Sequence, residues 1–393
     1  MFVVKVLLLD LWRVINSKGG TEKVFFSMAN ALADRGYDIT AVGLDNTVGK
    51  PGFNVNDNVN FVNVGVGYEE KRNLAFRIRR AICGSWEKRH EYEEKAFDYV
   101  KANRLKPVID SFQPDIIVSY NAEATRILIK NLQVNIPVVT MFHYDPDTIL
   151  SSATNVTKEA LEKCACIQVL LPSFVNITKK YLKHENVVCI PNIVPQYQLC
   201  KDKSIENIII NVARIDGVQK RQHLLIEAFA KIKDKYPDWR VEIWGETGYD
   251  DKYYNKCKKL LIDTQTNKQI LFCGTCDNVL KKLETAKIFA FPSSYEGFPL
   301  SLTEAMSAGL SAIGYKNCPA VNELIKDGEN GFLCEKGVDA FAQALEKLMS
   351  DEELRKKMGK AAKEDMKQYA PEKIWDMWEK LIEQVAQGKL PNL

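Results

Sequence analysis

The chain has 393 residues, of which 46% are hydrophobic and 27% are charged, and its formal net charge is +3. This length exceeds the usual size of a single hydrophobic core, so two domains are expected. The small net charge gives no nucleic-acid signature. No apolar run reaches the ~18–20 residues that span a bilayer. The apolar start, 1–10, is interrupted by Lys5 and Asp10 and lacks a small-residue cleavage site, which indicates a buried strand and not a signal peptide.

Apolar runs alternate with amphipathic segments along the whole chain. The first half predicts strands at 3–9, 38–44, 59–64, 115–120, 137–143, 166–171 and 187–190. The second half predicts strands at 207–213, 239–244, 269–273, 287–291, 310–315 and 331–334. Segments with helical periodicity, such as 21–35 and 220–235, fall between them. This order predicts an α/β protein with two Rossmann-like, doubly wound parallel-sheet domains.

The polar segment 195–204, which follows a Pro-Asn turn, is the best candidate for the domain boundary. We therefore expect a first domain at 1–195 and a second at 206–370. Residues 371–390 form an amphipathic helix. Most of the ten cysteines fall in apolar, strand-like runs, which favours a reduced, cytoplasmic protein.

Residues 292–310 are the most informative stretch of the sequence. A strand-like run is followed by Glu296, Gly297 and Pro299, and then by a segment with helical spacing that contains Glu304. A strand, a glycine-containing loop and a helix N-terminus together offer backbone N–H groups and a positive dipole end to an anion. Two carboxylates around such an anion site could bind a hydroxyl-rich group, so the stretch predicts a nucleotide-sugar site.

This stretch resembles the Glu-x7-Glu signature of retaining glycosyltransferases of family 4, which have the GT-B architecture. Arg214 and Lys220 match that family's diphosphate-binding arginine and lysine. The segment 317–333 is similar to its downstream Glu-x-x-x-Asp-Gly-x-Asn-Gly-Phe-Leu motif. Gly19-Gly20 and Pro191-Asn192 correspond to its N-terminal glycine loop and inter-domain turn. The resemblance is specific over 207–335 and mostly architectural over 1–195.

The resemblance implies two domains that face each other across a cleft, with the helix 371–390 packing back on the first domain. A surface helix of the second domain remains the alternative. Arg214 and Lys220 would neutralise the diphosphate, Glu296 would lie at the sugar ring and Glu304 would bind the ribose diol. The donor-binding set that the resemblance implies is Gly19, Gly20, Gly297, Phe298, Pro299, Leu300 and Glu304. The glycine pair could instead face the acceptor, and each charged residue could instead be an ordinary solvated side chain.

His143 ends a predicted strand and could hydrogen-bond the transferred sugar or the charge that develops on it. The resemblance places a histidine near that sugar, although a buried structural histidine is the alternative. The four histidines show no ligand spacing, and no Asp-x-Asp segment points to a metal-dependent transferase. We therefore expect no essential metal and no other cofactor.

The segment 71–86 carries five basic residues and no acidic one, with apolar residues recurring every four positions. A basic amphipathic helix of this kind can lie on an anionic membrane or form an acceptor surface. Its alternative is a helix that packs its apolar stripe into the core. The residues assigned to this surface are Arg72, Arg77, Arg79, Arg80 and Trp86.

The resemblance therefore implies a retaining hexosyltransferase of polysaccharide and cell-envelope biosynthesis. The donor would be a UDP-hexose or UDP-HexNAc bound mainly by the second domain. The acceptor would be a lipid-linked or surface glycan bound mainly by the first, and no nucleic-acid partner is expected. The predicted location is cytoplasmic, peripheral to the inner face of the cell membrane. A GT-B sugar-nucleotide epimerase and a catalytically silent GT-B scaffold of a polysaccharide-assembly complex are the alternatives.

Overall fold

A computed structural model describes residues 3–197, 206–276 and 278–391. The chain divides into two α/β units. Unit 1 comprises Met1–Pro191 and Ile374–Leu393, and unit 2 comprises Asn192–Lys373. Of the predicted boundary segment 195–204, residues 198–204 lie outside the described residues.

Unit 1 is built on a parallel sheet. Its strands are β1 (Lys5–Asp10), β2 (Asp38–Gly43), β3 (Val59–Asn63), β4 (Ile116–Ser119), β5 (Val138–Met141), β6 (Cys166–Val169) and β7 (Val187–Cys189). They lie in the order β3-β2-β1-β4-β5-β6-β7. Its helices are α1 (Gly20–Asp34), α2 (Leu74–Ile82), α3 (Trp86–Phe112), α4 (Ala122–Arg126), α5 (Pro146–Ser151), α6 (Asn155–Leu161) and α7 (Pro172–Tyr181), with a π-helical turn at Ile127–Asn131.

Unit 2 repeats this design with a second parallel sheet. Its strands are β8 (Ile208–Val212), β9 (Arg240–Trp244), β10 (Ile270–Gly274), β11 (Ile288–Phe291), β12 (Ser311–Tyr315) and β13 (Gly331–Cys334), in the order β10-β9-β8-β11-β12-β13. Its helices are α8 (Gln222–Ala230), α9 (Asp251–Asp263), α10 (Val279–Leu283), α11 (Leu300–Ser307), α12 (Val321–Leu324), α13 (Val338–Ser350) and α14 (Glu352–Met366), with 3₁₀ turns at Lys233–Lys235 and Lys367–Tyr369.

The last helix, α15 (Pro371–Ala386), belongs to unit 1 from Ile374 onward. It buries the apolar face formed by Ile374, Trp375, Trp378, Leu381, Ile382 and Val385. Arg35, which follows α1, donates from Nε to Glu379 on α15 at 3.1 Å. The helix ends four residues before the predicted limit at 390.

The predicted α/β fold class is confirmed, because every predicted strand is present within two residues of its predicted ends. Central strands such as β1 and β11 are buried on both faces, which explains their continuous apolar sequences. In each sheet the strand order reverses once, beside β1 in unit 1 and beside β8 in unit 2. Ligands of doubly wound sheets bind outside the carboxyl ends of the strands at such switch points.

The predicted basic helix 71–86 is interrupted before Trp86. The helix α2 ends at Ile82, and Gly84 adopts a positive φ of 77° that favours glycine. Ser85 then caps α3 by accepting a hydrogen bond from the Lys88 N–H. Trp86 is therefore the first residue of α3 and does not continue the apolar stripe of α2.

Candidate active site

The loop that follows β8 is organised around Asp216. Its Oδ1 accepts hydrogen bonds from the backbone N–H groups of Val218 at 2.8 Å and Gln219 at 3.0 Å, and its Oδ2 accepts from the Arg214 guanidinium at 3.1 Å. Burial raises the pKa of Asp216, but these hydrogen bonds and the charge of Arg214 outweigh it and hold that pKa below its usual value. The ionised Asp216 carboxylate therefore fixes the conformation of the loop that carries Arg214 and Lys220.

Arg214 is held in a defined position by its neighbours. Besides the bond to Asp216, its NH2 group donates to Gln219 Oε1 at 2.7 Å. Its guanidinium carbon lies 4.6 Å from the centre of the Tyr249 ring, within cation–π range. The side chain is still 37% exposed, so the cation remains accessible to an incoming anion.

Lys220 connects this loop to the loop before α11. Its Nζ lies 2.5 Å from Glu296 Oε1, and both side chains are largely buried. Gln219 supports the pair, because its Nε2 donates to the Tyr295 carbonyl at 3.0 Å and to Glu296 Oε2 at 3.4 Å. The structure therefore brings together three predicted site residues, Arg214, Lys220 and Glu296, around one glutamine that the sequence did not single out.

Arg221 is a second structural residue that the sequence reasoning missed. It has a positive φ of 50° directly before α8, and its guanidinium donates to the carbonyls of Pro292 at 3.0 Å and Ser293 at 2.8 Å. The Ser294 N–H in turn donates to the Gln219 carbonyl at 2.8 Å. The loops after β8 and β11, which flank the switch point of unit 2, are therefore bonded to each other.

The helix α11 begins directly after this second loop. Its first residue is Leu300, and Pro299 is the N-cap residue in an extended conformation. The amides of Gly297, Phe298 and Leu300 lie at this helix start, where N–H groups have no partner within the helix. Pro299 has no backbone N–H, so its part in the predicted donor-binding set is limited to shaping the turn.

Glu304 lies in the second turn of α11 and is only 5% exposed. The alternative of an ordinary exposed helix glutamate is therefore wrong. Burial raises the pKa of the Tyr197 phenol, and the nearby charge of Glu304 raises it further. Glu304 is thus a buried carboxylate near a helix N-terminus, and Glu296 is an ion-paired carboxylate that precedes the helix. Both can accept hydrogen bonds from neutral hydroxyl groups.

His143 belongs to unit 1 and follows β5. Its ring stacks on Tyr120 with centroids 4.9 Å apart. Burial lowers the pKa of His143 to about 4, so the imidazole is neutral near pH 7. Within the described residues its Nε2 is buried and has no hydrogen-bond partner. Neutral His143 can therefore form a hydrogen bond with a ligand, but it carries no positive charge that would attract an anion.

Gly19 and Gly20 lie at the start of α1, with Gly19 as the N-cap residue. A Cβ on Gly19 would fall 2.4 Å from a carboxylate oxygen of Glu22, so a larger residue at this position would require the Glu22 side chain to move. Glu22 accepts a hydrogen bond from Ser17 Oγ at 2.5 Å. A carboxylate in this position repels phosphate, and this electrostatic argument favours the acceptor over the donor as the ligand of the glycine loop.

The sequence contains one Asp-x-Asp segment that the sequence analysis overlooked, Asp145-Pro146-Asp147. The structure uses both carboxylates for local contacts. Asp145 is the N-cap of α5 and accepts hydrogen bonds from the Asp147 N–H at 3.2 Å and from the Thr148 hydroxyl at 3.2 Å. Asp147 accepts a hydrogen bond from the Tyr181 hydroxyl at 2.6 Å. The segment therefore has a helix-capping role that accounts for its residues.

The helix α2 exposes its apolar stripe to solvent. Leu74 is 73% exposed, Ile78 51% and Ile82 77%, while Phe76 alone on this helix is buried. The alternative in which this stripe packs into the core is therefore wrong. Within the described part of the chain, no helix is long and apolar enough to cross a bilayer.

The predicted cations of this surface are not equivalent. Arg80 pairs with Glu93 at 2.8 Å, and Arg72 pairs with Glu70 at 3.2 Å and with Glu93 at 3.4 Å. Arg77 and Arg79 are exposed on α2. The positive charge available to an anionic partner is consequently concentrated at Arg77 and Arg79. Trp86 is also exposed, at 50%, but its ring stacks on His90.

Residues 201–365 match the family model described as glycosyl transferases group 1. An uncharacterized glycosyltransferase of Haemophilus influenzae is 26% identical over 377 residues, which cover 94% of this chain and 97% of that protein. The N-acetyl-alpha-D-glucosaminyl L-malate synthase of Bacillus anthracis is 25% identical and covers 92% of this chain and 93% of its own length. A poly(ribitol-phosphate) alpha-N-acetylglucosaminyltransferase of Staphylococcus aureus is 27% identical over 49% of this chain and 39% of its own length.

Solved structures show the same fold. Sucrose-phosphate synthase from Thermosynechococcus elongatus superposes with a TM-score of 0.79 at 17% identity, over 98% of this chain and 100% of that chain. Anabaena HepE, solved in complex with UDP and glucose, superposes with a TM-score of 0.71 at 15% identity, over 98% of both chains. The chain has the GT-B fold, and its residues 201–365 match the family model of the group 1 glycosyl transferases. The resemblance seen in the sequence is thereby confirmed at this level.

Proposed function

We propose that the chain is a retaining glycosyltransferase of the family 4 type, which transfers a hexose or N-acetylhexosamine from a UDP-sugar to a lipid-linked or surface-glycan acceptor in polysaccharide biosynthesis. The observation that carries the proposal is the arrangement of Arg214, Lys220 and Glu296 at the switch point of unit 2, beside the start of α11. The presence of UDP in the HepE structure supports the donor nucleotide, and the N-acetylglucosaminyl transfer named for the S. aureus relative supports the class of transferred sugar.

The proposed roles follow from charge and position. Arg214 and Lys220 neutralise the negative charge that builds on the departing diphosphate, which is the preorganised electrostatic contribution to catalysis. The first-turn amides of α11 add to this stabilisation. Because two protein cations lie at this position, we propose that turnover needs no divalent metal. Glu304 holds the ribose diol and Glu296 the sugar hydroxyls.

The proposed chemistry is a front-side displacement. The bond between the anomeric carbon and the phosphate oxygen breaks, and the acceptor oxygen forms its bond on the same face, so the configuration is retained. The acceptor proton passes to the departing phosphate oxygen, which Arg214 and Lys220 flank. Neutral His143 offers a hydrogen bond to the transferred sugar.

We also propose that α2 places the enzyme at an anionic membrane surface, where a lipid-linked acceptor would be found. The exposed stripe of Leu74, Ile78 and Ile82 would enter the interfacial region, and Arg77 and Arg79 would face the anionic head groups. Each such cation contributes roughly 1 kcal/mol near the surface. On this basis we propose that the protein is peripheral to the inner face of the cell membrane.

A thermal-shift screen with a nucleotide-sugar panel tests the donor assignment. A ligand at ~100-fold excess over its Kd stabilises the folded protein by roughly 2.7 kcal/mol. We expect UDP-sugars to raise the melting temperature of the wild type and of Lys356→Ala, which alters an exposed lysine of α14, and to raise that of Arg214→Ala by clearly less. Purified wild-type protein should also hydrolyse the stabilising UDP-sugar slowly to UDP and free sugar. A silent scaffold would bind without hydrolysis, and an epimerase would return an altered UDP-sugar.

A further inference from the structure

The switch point of unit 1 carries polar groups that the donor site does not use. Asp10 ends β1, and Asn121 directly follows Tyr120 after the neighbouring strand β4. Asp10 Oδ1 accepts hydrogen bonds from the Trp12 N–H at 3.0 Å and from Asn121 Nδ2 at 3.4 Å. The Tyr120 N–H donates to the Leu9 carbonyl at 2.9 Å, which keeps the two strand ends level. This is the crevice in which doubly wound sheets bind their ligands.

Two buried polar atoms in this crevice are unsatisfied. Asp10 is 1% exposed, and neither its Oδ2 nor His143 Nε2 has a hydrogen-bond partner within the described residues. A buried polar atom without a partner has lost its hydrogen bonds to water without replacement and is therefore destabilising. The hydrogen bond proposed between His143 and the transferred sugar accounts for one of them, so Asp10 Oδ2 is the buried atom that still requires a ligand to supply its hydrogen bond.

An aromatic pair adjoins these groups. Trp12 and Tyr144 follow Asp10 and His143 closely in the chain, and their rings lie 5.7 Å apart at an angle of 41°. Trp12 is 45% exposed although it is a large apolar side chain. An exposed aromatic face next to hydrogen-bonding groups suits a ligand with one apolar face and several hydroxyl groups, which is the character of a sugar ring.

The charges in the crevice favour a neutral ligand. Burial, and then the nearby charge of Glu22, raise the pKa of Asp10 to about 7, although the hydrogen bond from the Trp12 N–H opposes them. A carboxyl group that is half protonated near neutral pH can both donate to and accept from hydroxyl groups. A phosphate would meet the carboxylate of Glu22 and the negative form of Asp10, both of which repel it.

We propose that Asp10 and the Trp12–Tyr144 pair form the subsite that binds a neutral sugar ring of the acceptor. The ring packs on the two aromatic side chains, and a hydroxyl group of the sugar satisfies Asp10 Oδ2. The proposal rests on the proposed glycosyltransferase function and specifies its acceptor as a glycan with an uncharged terminal sugar, in contrast to a polyol phosphate.

Saturation-transfer NMR on the full chain tests this subsite with methyl α-glucoside, methyl N-acetyl-α-glucosaminide and glycerol 3-phosphate as probes. We expect one of the two glycosides to bind the wild type and glycerol 3-phosphate not to bind. Trp12→Ala and Asp10→Asn should weaken glycoside binding at least roughly tenfold, which corresponds to about 1.4 kcal/mol. Tyr99→Ala, which removes an exposed aromatic side chain of α3, is the matched control and should bind like the wild type.

Titration with UDP separates this inference from the proposed function. UDP should bind the wild type and all three variants equally, which also shows that the variants are folded. If UDP binds while Trp12→Ala binds the glycosides as the wild type does, the subsite is wrong and the donor site stands. The subsite is equally wrong if neither glycoside binds or if glycerol 3-phosphate binds better than both. If UDP does not bind the wild type, the proposed function itself fails.

Discussion

Lys220 Nζ lies 2.5 Å from Glu296 Oε1, and this ion pair joins the loop after β8 to the loop before α11. The Lys220 side chain is 15% exposed and that of Glu296 is 7% exposed, so the pair is shielded from water. Gln219 donates to both Tyr295 and Glu296 and strengthens the same connection. A change to this ion pair should therefore alter both the stability of the two loops and the reaction proposed for them.

Lys220→Ala should consequently affect both stability and activity. Removing one partner of a buried ion pair leaves an uncompensated charge and costs up to ~3–5 kcal/mol, so we expect a loss of about 1–3 kcal/mol for this partly shielded pair. Sugar transfer should fall at least ~100-fold, as when one charge-stabilising donor is removed. Urea denaturation and a transfer assay measure the two effects.

The double variant Lys220→Met with Glu296→Gln separates these effects. It removes both charges, so it should be more stable than Lys220→Ala while remaining inactive. Wild-type stability together with wild-type transfer in Lys220→Ala would show that the ion pair has neither role.

Activity should not depend on a divalent metal. Arg214 and Lys220 supply the positive charge at the proposed diphosphate position, and Asp145 and Asp147 are engaged in helix capping and a tyrosine contact. We expect the transfer rate in excess chelator to stay within about twofold of the untreated rate, a barrier change below ~0.5 kcal/mol. A complete loss that manganese or magnesium restores would contradict the proposed charge neutralisation.

The stability of unit 1 should depend on pH through two groups of opposite sign. Asp10 has a folded pKa of about 7, above its ordinary value of 3.8, so its contribution to stability is full below pH 3.8 and is lost as the pH rises through 7. His143 has a folded pKa of about 4, below its ordinary value of 6.5, so its contribution is present above pH 6.5 and is lost as the pH falls through 4.

Melting temperatures at pH 5 and pH 8 test this dependence. Relative to the wild type, Asp10→Asn should be more stable at pH 8 than at pH 5, because asparagine cannot ionise. His143→Gln should show the reverse order, with its relative gain at pH 5. If the melting temperature of each variant differed from that of the wild type by the same amount at pH 5 and at pH 8, neither group would have the stated pKa.

The helix α2 should bind anionic vesicles in a salt-dependent manner, because exposed charges are screened beyond ~8 Å at physiological ionic strength. Arg77→Gln with Arg79→Gln should weaken co-sedimentation, and Ile78→Asp should weaken it as well by removing apolar contact. Lys106→Gln, an exposed lysine paired with Asp110 on α3, is the matched control. Hydrolysis of the UDP-sugar should be unchanged in all of these variants. A wild-type protein that does not sediment with anionic vesicles at low salt contradicts the membrane assignment.

The strands and their order along the chain could be predicted because parallel strands are buried on both faces. A run such as Ile288–Phe291 therefore has no polar position at all, and turns or amphipathic segments mark its ends. The Glu296–Glu304 segment could be placed for the same reason, since it follows such a strand and precedes a helix. The break at Gly84 was missed because the four-residue apolar spacing continues across it to Trp86.

The supporting residues of the site could not be predicted from the sequence. Gln219 and Arg221 act through bonds to a loop more than 70 residues away, and the positive φ of Arg221 has no sequence signal. The same holds for Asp10, whose importance lies in a buried oxygen that has no hydrogen-bond partner in the described part of the chain. Such properties arise only when distant segments pack, so spacing along one chain does not reveal them.

Calorimetric titration of UDP and of uridine into the wild type and Arg214→Ala tests the central claim most directly, namely that this loop binds the diphosphate of a nucleotide-sugar. Lys356→Ala is the control for loss of a surface cation. The account predicts that UDP binds the wild type and the control alike, that Arg214→Ala weakens UDP binding at least roughly tenfold, about 1.4 kcal/mol, and that uridine binds all three proteins equally weakly. Equal UDP affinity in the wild type and Arg214→Ala would contradict it.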